Sequence, residues 1–115
     1  LPLNSKKQTI KPKTELTNMI TRIVKLTISP SKKEEFKSIF FANKNYIKDF
    51  EGCLHVELLQ DKKYDNIFFT YSKWEGEKFI EKYRQSKLFG GVWKKTKACF
   101  CAPPEAWSTD ELFSL

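Results

Sequence analysis

The chain has 115 residues, 40% hydrophobic and 30% charged, with four Gly, five Pro, ten Phe and three Trp, which fits one globular domain with an aromatic core and excludes a low-complexity chain. Three cysteines are odd in number and too sparse for a disulfide scaffold, so they read as reduced thiols in a cytoplasm. Of the formal charge of +7, the first 18 residues carry +3 through Lys6, Lys7, Lys11 and Lys13 against Glu15, which leaves the rest too mildly basic for a nucleic-acid surface.

Residues 1–18, "LPLNSKKQTIKPKTELTN", are polar and lack the apolar core of a signal peptide. No stretch reaches the roughly 20 apolar residues of a membrane span, so no membrane partner is expected. These residues read as a flexible extension ahead of a domain over 19–115. "ITRIVKLTI", 20–28, is rich in β-branched residues and predicts a first strand that ends at "SPS". Ser31 with Glu34 has the spacing of a capping box, and Phe36, Ile39, Phe40, Ile47 and Phe50 recur at helical spacing, so a long amphipathic helix follows. Gly52 stops it.

"CLHVELLQ", 53–60, alternates as a second strand, with Leu54, Val56 and Leu58 on one face and Cys53, His55, Glu57 and Leu59 on the other. After the polar turn "DKKYDN", the stretch "IFFTYSKW", 67–74, gives a third strand. Ile67, Phe69 and Tyr71 share one of its faces, and Phe68, Thr70, Ser72 and Trp74 the other. Phe79, Ile80, Tyr83, Leu88, Phe89, Val92 and Trp93 predict a second helix that breaks and restarts at Gly90 and Gly91. "ACFCA", 98–102, reads as a short fourth strand, with a C-terminal tail from about residue 103.

The order β-α-β-β-α-β predicts an α+β, ferredoxin-like fold with an antiparallel sheet and both helices on one face. Strands one and three lie centrally and two and four at opposite edges. Cys53 and His55 would then stand about 14 Å from Cys99 and Cys101, far beyond zinc bonds near 2.3 Å, so no metal site is expected within a subunit. The cysteines read as small, semi-buried hydrophobes.

"FEGC" after the first helix, "FFTYSKWEGEKFIEKYRQSKLF" and "PPEAWS" together resemble the antibiotic biosynthesis monooxygenase family over about residues 19–110. The resemblance implies a dimeric α+β barrel, in which two such sheets face each other and each subunit keeps a pocket between sheet and helices. It also implies oxygenation of a phenol or quinol by O₂ without a cofactor. Trp74 matches the family's tryptophan at the end of the third strand. Tyr83 falls where many members carry His or Trp, and Leu88 where many quinol-acting members carry a second His. The branch that degrades haem carries Asn, Trp and His where this chain has Val24, Tyr83 and Trp93, which disfavours that chemistry.

The expected ligand-binding pocket is lined by Trp74, Tyr83, Phe89 and Trp93, aromatic residues suited to a planar phenolic or quinol-like molecule. Such a stripe also serves as ordinary core, and only a cavity would distinguish the two. The candidate catalytic residues are Tyr83, as a hydrogen-bond donor to a substrate anion, and His55, whose ordinary pKa suits a general base. By parity His55 belongs to the face opposite the helices, where Tyr71 reads as interface packing, so a homodimer through that face is expected. Arg84 and Lys87 read as solvated charges, although a cation near a pocket lowers a phenol's pKa. Two rivals share the fold. One is a non-catalytic small-ligand-binding or dimerisation module. The other is an RNA-binding module with third-strand aromatics, which "DNIFFTYS" fits poorly because it lacks the basic-Gly-aromatic-Gly start.

Overall fold

The computed structural model describes residues 19–115, so the expectation for residues 1–18 lies outside the described residues. Strand β1, Ile20–Thr27, has the β-branched run that suits a pleated, half-buried surface. Ile20 and Leu26, with Ile28 one step beyond, turn to the helix side and are buried there. The chain then enters a 3₁₀ turn, Pro30–Lys32, and helix α1, Lys33–Lys48. The expected Ser31–Glu34 capping box does not form. Pro30 opens the 3₁₀ turn, the Lys32 N–H donates to the Ser29 carbonyl at 2.8 Å, and no side chain caps α1. Phe36, Phe40 and Ile47, spaced along one stripe of α1, are its buried residues.

Gly52 follows α1 with φ +83°, the left-handed region that a Cβ disfavours. A Cβ there would stand 2.2 Å from Phe79 Cγ, so the turn needs glycine for space as well as for backbone. Strand β2, Cys53–Gln60, then pairs antiparallel with β3, Ile67–Trp74. Their register shifts at Leu54: Cys53 faces Trp74, and His55 faces Lys73. This bulge corrects the simple alternation, because the extra residue turns Cys53 to the helix side and leaves Leu54 exposed. From His55 on, the expected alternation holds. The β2–β3 turn is closed by Asp61, whose Oδ2 accepts from the N–H groups of Lys63 and Tyr64 at 3.0 and 2.7 Å.

Helices α2, Glu77–Arg84, and α3, Lys87–Lys97, replace the expected second helix, and the break is not at Gly90 and Gly91. It falls at Gln85 and Ser86. The Ser86 Oγ accepts from the Phe89 N–H at 3.1 Å and donates to the Tyr83 carbonyl at 2.6 Å, so one hydroxyl ends α2 and caps α3. Both glycines lie inside α3 facing open space.

The fourth strand is also corrected. "ACFCA" makes one bridge, Phe100 to Ile28, while Cys99 is buried against the core and Cys101 is exposed. After Pro103 and Pro104, strand β4, Glu105–Asp110, pairs antiparallel along β1 within the stretch expected to be tail. The sheet order is β2-β3-β1-β4, fully antiparallel, with β1 and β3 central. The chain is therefore α+β and ferredoxin-like, with three α-helices among the described residues. Two packed clusters join sheet and helices. One holds Leu26, Ile28, Phe36, Phe68 and Cys99, and the other Ile20, Cys53, Trp74 and Ile80.

Candidate functional site

Between sheet and helices, touching both clusters, lies a cavity of about 370 Å³. Close packing leaves few voids larger than a water molecule in an ordinary core, so this space is of ligand size. The sheet supplies Arg22, Val24, Val56, Thr70, Ser72 and Trp74 from alternating positions, and Ala106 comes from β4. The helices supply Phe36, Phe40, Ile80, Tyr83, Phe89 and Trp93 among others.

All four expected pocket residues border this cavity, in one connected aromatic chain. Trp74 and Tyr83 have ring centroids 5.2 Å apart, Tyr83 and Phe89 5.1 Å, and Phe89 and Trp93 stack at 5.6 Å with 12° between planes. Trp74 is almost wholly buried and donates its indole N–H to Ser72 Oγ at 2.9 Å, so it is floor and core at once. Val24, Tyr83 and Trp93 line the same space. Tyr83 is held by the Ser86 turn beneath its carbonyl and by Phe50, 5.3 Å away ring to ring. Burial, and next the nearby Cys53, push its phenol well above the ordinary tyrosine range, and no hydrogen bond offsets this among the described residues. At neutral pH Tyr83 is therefore an O–H donor.

His55 does not reach the cavity. Its neighbour Val56 turns inward, whereas His55 lies on the open face, half-exposed, with Nε2 2.6 Å from Glu57 Oε2 and its ring 6.3 Å from Tyr71. The sheet separates it from Tyr83. Among the described residues, no group of three or more His, Cys, Asp or Glu is placed to hold a metal.

Sequence reasoning missed Arg22. It sits on central strand β1 at the inward parity of Ile20, Val24 and Leu26, and a charge on the core face of a central strand was the available signal. Its Nη1 donates to Ser108 Oγ at 2.9 Å, a contact that exists only because β4 is where the tail was expected. Burial, and then Arg84, lower its pKa, with Glu77 and Glu81 opposing more weakly. Arg84 also borders the cavity, bound to Glu81 at 3.4 Å, while Lys87 is exposed on α3.

Fold and cavity together define a small ferredoxin-like protein with a ligand-sized pocket under its helices. The sequence model of the antibiotic biosynthesis monooxygenases matches residues 19–94, and the chain belongs to that family. Solved structures carry the same fold at low identity. A conserved protein from Methanosarcina mazei Go1 superposes with a TM-score of 0.81 at 17% identity, covering 86% of this chain and 98% of that one. A candidate antibiotic biosynthesis monooxygenase from Caulobacter crescentus CB15 gives 0.79 at 16%, covering 91% and 100%. Rv0793 from Mycobacterium tuberculosis gives 0.77 at 10%, covering 84% and 97%. No curated protein matches the chain. Among the described residues no helix is long and apolar enough to cross a membrane.

Proposed function

We propose that this chain is a homodimeric monooxygenase that oxygenates a small planar phenolic or quinol-like compound in the cavity bordered by Trp74, Tyr83, Phe89 and Trp93, with no metal or flavin. The observation that carries the proposal is an open, aromatic-walled space between sheet and helices, where the family resemblance implies a pocket. An electron-rich phenolate supplies the electrons itself. One atom of O₂ forms a C–O bond at the ring carbon para to the phenolic oxygen, and the other leaves as water with the ring hydrogen and the phenolic proton. The ring gives up four electrons and becomes a quinone, and O₂ accepts all four.

The chain's residues orient the ring, exclude water and hold charge. Tyr83, kept protonated by burial, donates to the substrate oxygen as charge develops there. Among the described residues, the titratable groups that border the cavity are Arg22, Tyr83 and Arg84, with no carboxylate or histidine at the wall, so deprotonation falls to cations that lower the phenol's pKa. That same lack of a base favours a second reading, a non-catalytic ligand-binding module on this fold. The second copy would meet the open sheet face, where Ile23, Ile67, Phe69 and Tyr71 are half-buried and Leu59 and Trp107 exposed.

Oxygen uptake with small naphthols and hydroxyanthraquinones tests the function. Uptake that persists after chelation and without flavin, and falls at least about tenfold in Tyr83→Phe, supports the monooxygenase, one transition-state hydrogen bond being of that size. Binding without uptake assigns the chain to the ligand-binding class.

A further inference from the structure

Among the described residues, the cavity wall carries two arginines and no acid. Arg22 borders a cavity whose wall is mostly apolar, yet among the described residues its guanidinium, with five N–H donors, has a single side-chain acceptor, the Ser108 hydroxyl at 2.9 Å. Among the described residues no carboxylate lies within ion-pair distance of Arg22; the acids nearest it in effect, Glu77 and Glu81, act from farther off, and Glu81 already holds Arg84 at 3.4 Å. A cation taken partly out of water without a counter-charge costs stability, and proteins ordinarily place an acid opposite it. Elsewhere on this sheet that is the pattern: Lys25 meets Glu105 at 3.7 Å, and Lys73 meets Glu111 at 3.2 Å. Arg22, facing the cavity, is the exception.

We propose that the pocket takes a planar aromatic acid, whose carboxylate is bound by Arg22 with Arg84 nearby while its rings lie along the Tyr83, Phe89 and Trp93 wall, an inference that rests on the cavity being the ligand site proposed above. Arg22 is then the specificity-determining residue. A guanidinium presents paired donors that match the two oxygens of a carboxylate, which a phenol or a neutral quinol cannot engage in the same way. The size agrees as well. A cavity of about 370 Å³ is more than twice the roughly 150 Å³ that accepts a single benzene, which leaves space for two fused rings and the acid group. The phenol of an ortho-hydroxy acid would share the same positive field, which assists the ionisation that the pocket has no base to perform.

The test uses three probes of one shape on the full chain: 1-hydroxy-2-naphthoate, its neutral carboxamide, and 1-naphthol, with binding read from the fluorescence of Trp74 and Trp93. The acid is expected to bind at least about tenfold more tightly than the amide, the scale of a hydrogen bond to a charged group. Arg22→Gln is expected to abolish that preference, and Arg22→Lys to restore part of it. Equal binding of acid and amide by the natural chain overturns the proposal whatever the variants do, as does a preference that survives in Arg22→Gln. If Arg22→Gln fails to fold, the acid-to-amide ratio of the natural chain and of Arg22→Lys still decides. Oxygen uptake with each probe is recorded separately: preference for the acid without uptake sustains the inference and removes the monooxygenase, whereas uptake with 1-naphthol and no preference for the acid does the reverse.

Discussion

The two faces of the sheet are both apolar, but they treat charge differently. On the open face the lysines have acids nearby, Lys25 with Glu105 and Lys73 with Glu111, and the His55 ring lies against Glu57. Those pairs border a strip of Ile23, Phe69, Tyr71 and Trp107 set side by side by the strand register. A strip with satisfied charges around it resembles an interface core with a polar rim, which suits a second copy of the chain. On the helix face the apolar residues are already packed, a cavity remains, and the charge on its strand side, Arg22, is answered among the described residues only by the Ser108 hydroxyl. On the proposed reading, the open face suits a second copy of the chain and the helix face suits an anion.

The largest effect expected from breaking this asymmetry comes from Trp74, almost wholly buried at the floor of the cavity. Trp74→Ala should cost about 3–5 kcal/mol in denaturant unfolding, whereas Trp107→Ala on the open face should cost under about 1 kcal/mol in the monomer. Equal losses would mean that the two faces are not distinct. Next is Gly52→Ala, expected to cost about 2–4 kcal/mol because left-handed strain adds to overpacking against Phe79. Relief of the second component by Gly52→Ala with Phe79→Leu would identify the clash.

Tyr71→Lys tests the open face. It should raise the dimer dissociation constant at least tenfold, about 1.4 kcal/mol, in light scattering, while ligand binding in the cavity stays unchanged. A natural chain that is monomeric at micromolar concentration would remove the interface from the account. The smallest effect concerns Tyr83, whose pKa in the folded chain lies above the ordinary 10.0. The native state then holds a proton that the unfolded state releases, so this contribution is fully present below pH 10 and is lost as pH rises beyond it. Tyr83→Phe should therefore lose stability less steeply than the natural chain above pH 10, with the two curves parallel below it.

Much of this was legible in the sequence because it follows from period. The strands at 20–28, 53–60 and 67–74, the first helix, the central and edge positions, and the four aromatic residues at the cavity all follow from spacing and burial. Three features did not. The strand Glu105–Asp110 is polar because it lies at an exposed edge, where little burial is required, so its composition resembled a tail. The bulge at Leu54 leaves no trace in residue type, and it alone turned Cys53 inward. The helix break at Ser86 depends on one hydroxyl serving two helix ends, while the two glycines that looked like a break sit in α3 at a modest cost in propensity. Arg22 was readable from parity, but its partner Ser108 was not, because the strand carrying it was itself misplaced.

Isotope labelling under ¹⁸O₂ tests the central claim most directly. With 1-naphthol as substrate and the chelated, flavin-free protein as catalyst, the account predicts a 1,4-naphthoquinone that carries one ¹⁸O atom, with the other in water, at a rate above that of spontaneous oxidation. A quinone without label, or one formed no faster than in the absence of protein, would contradict it.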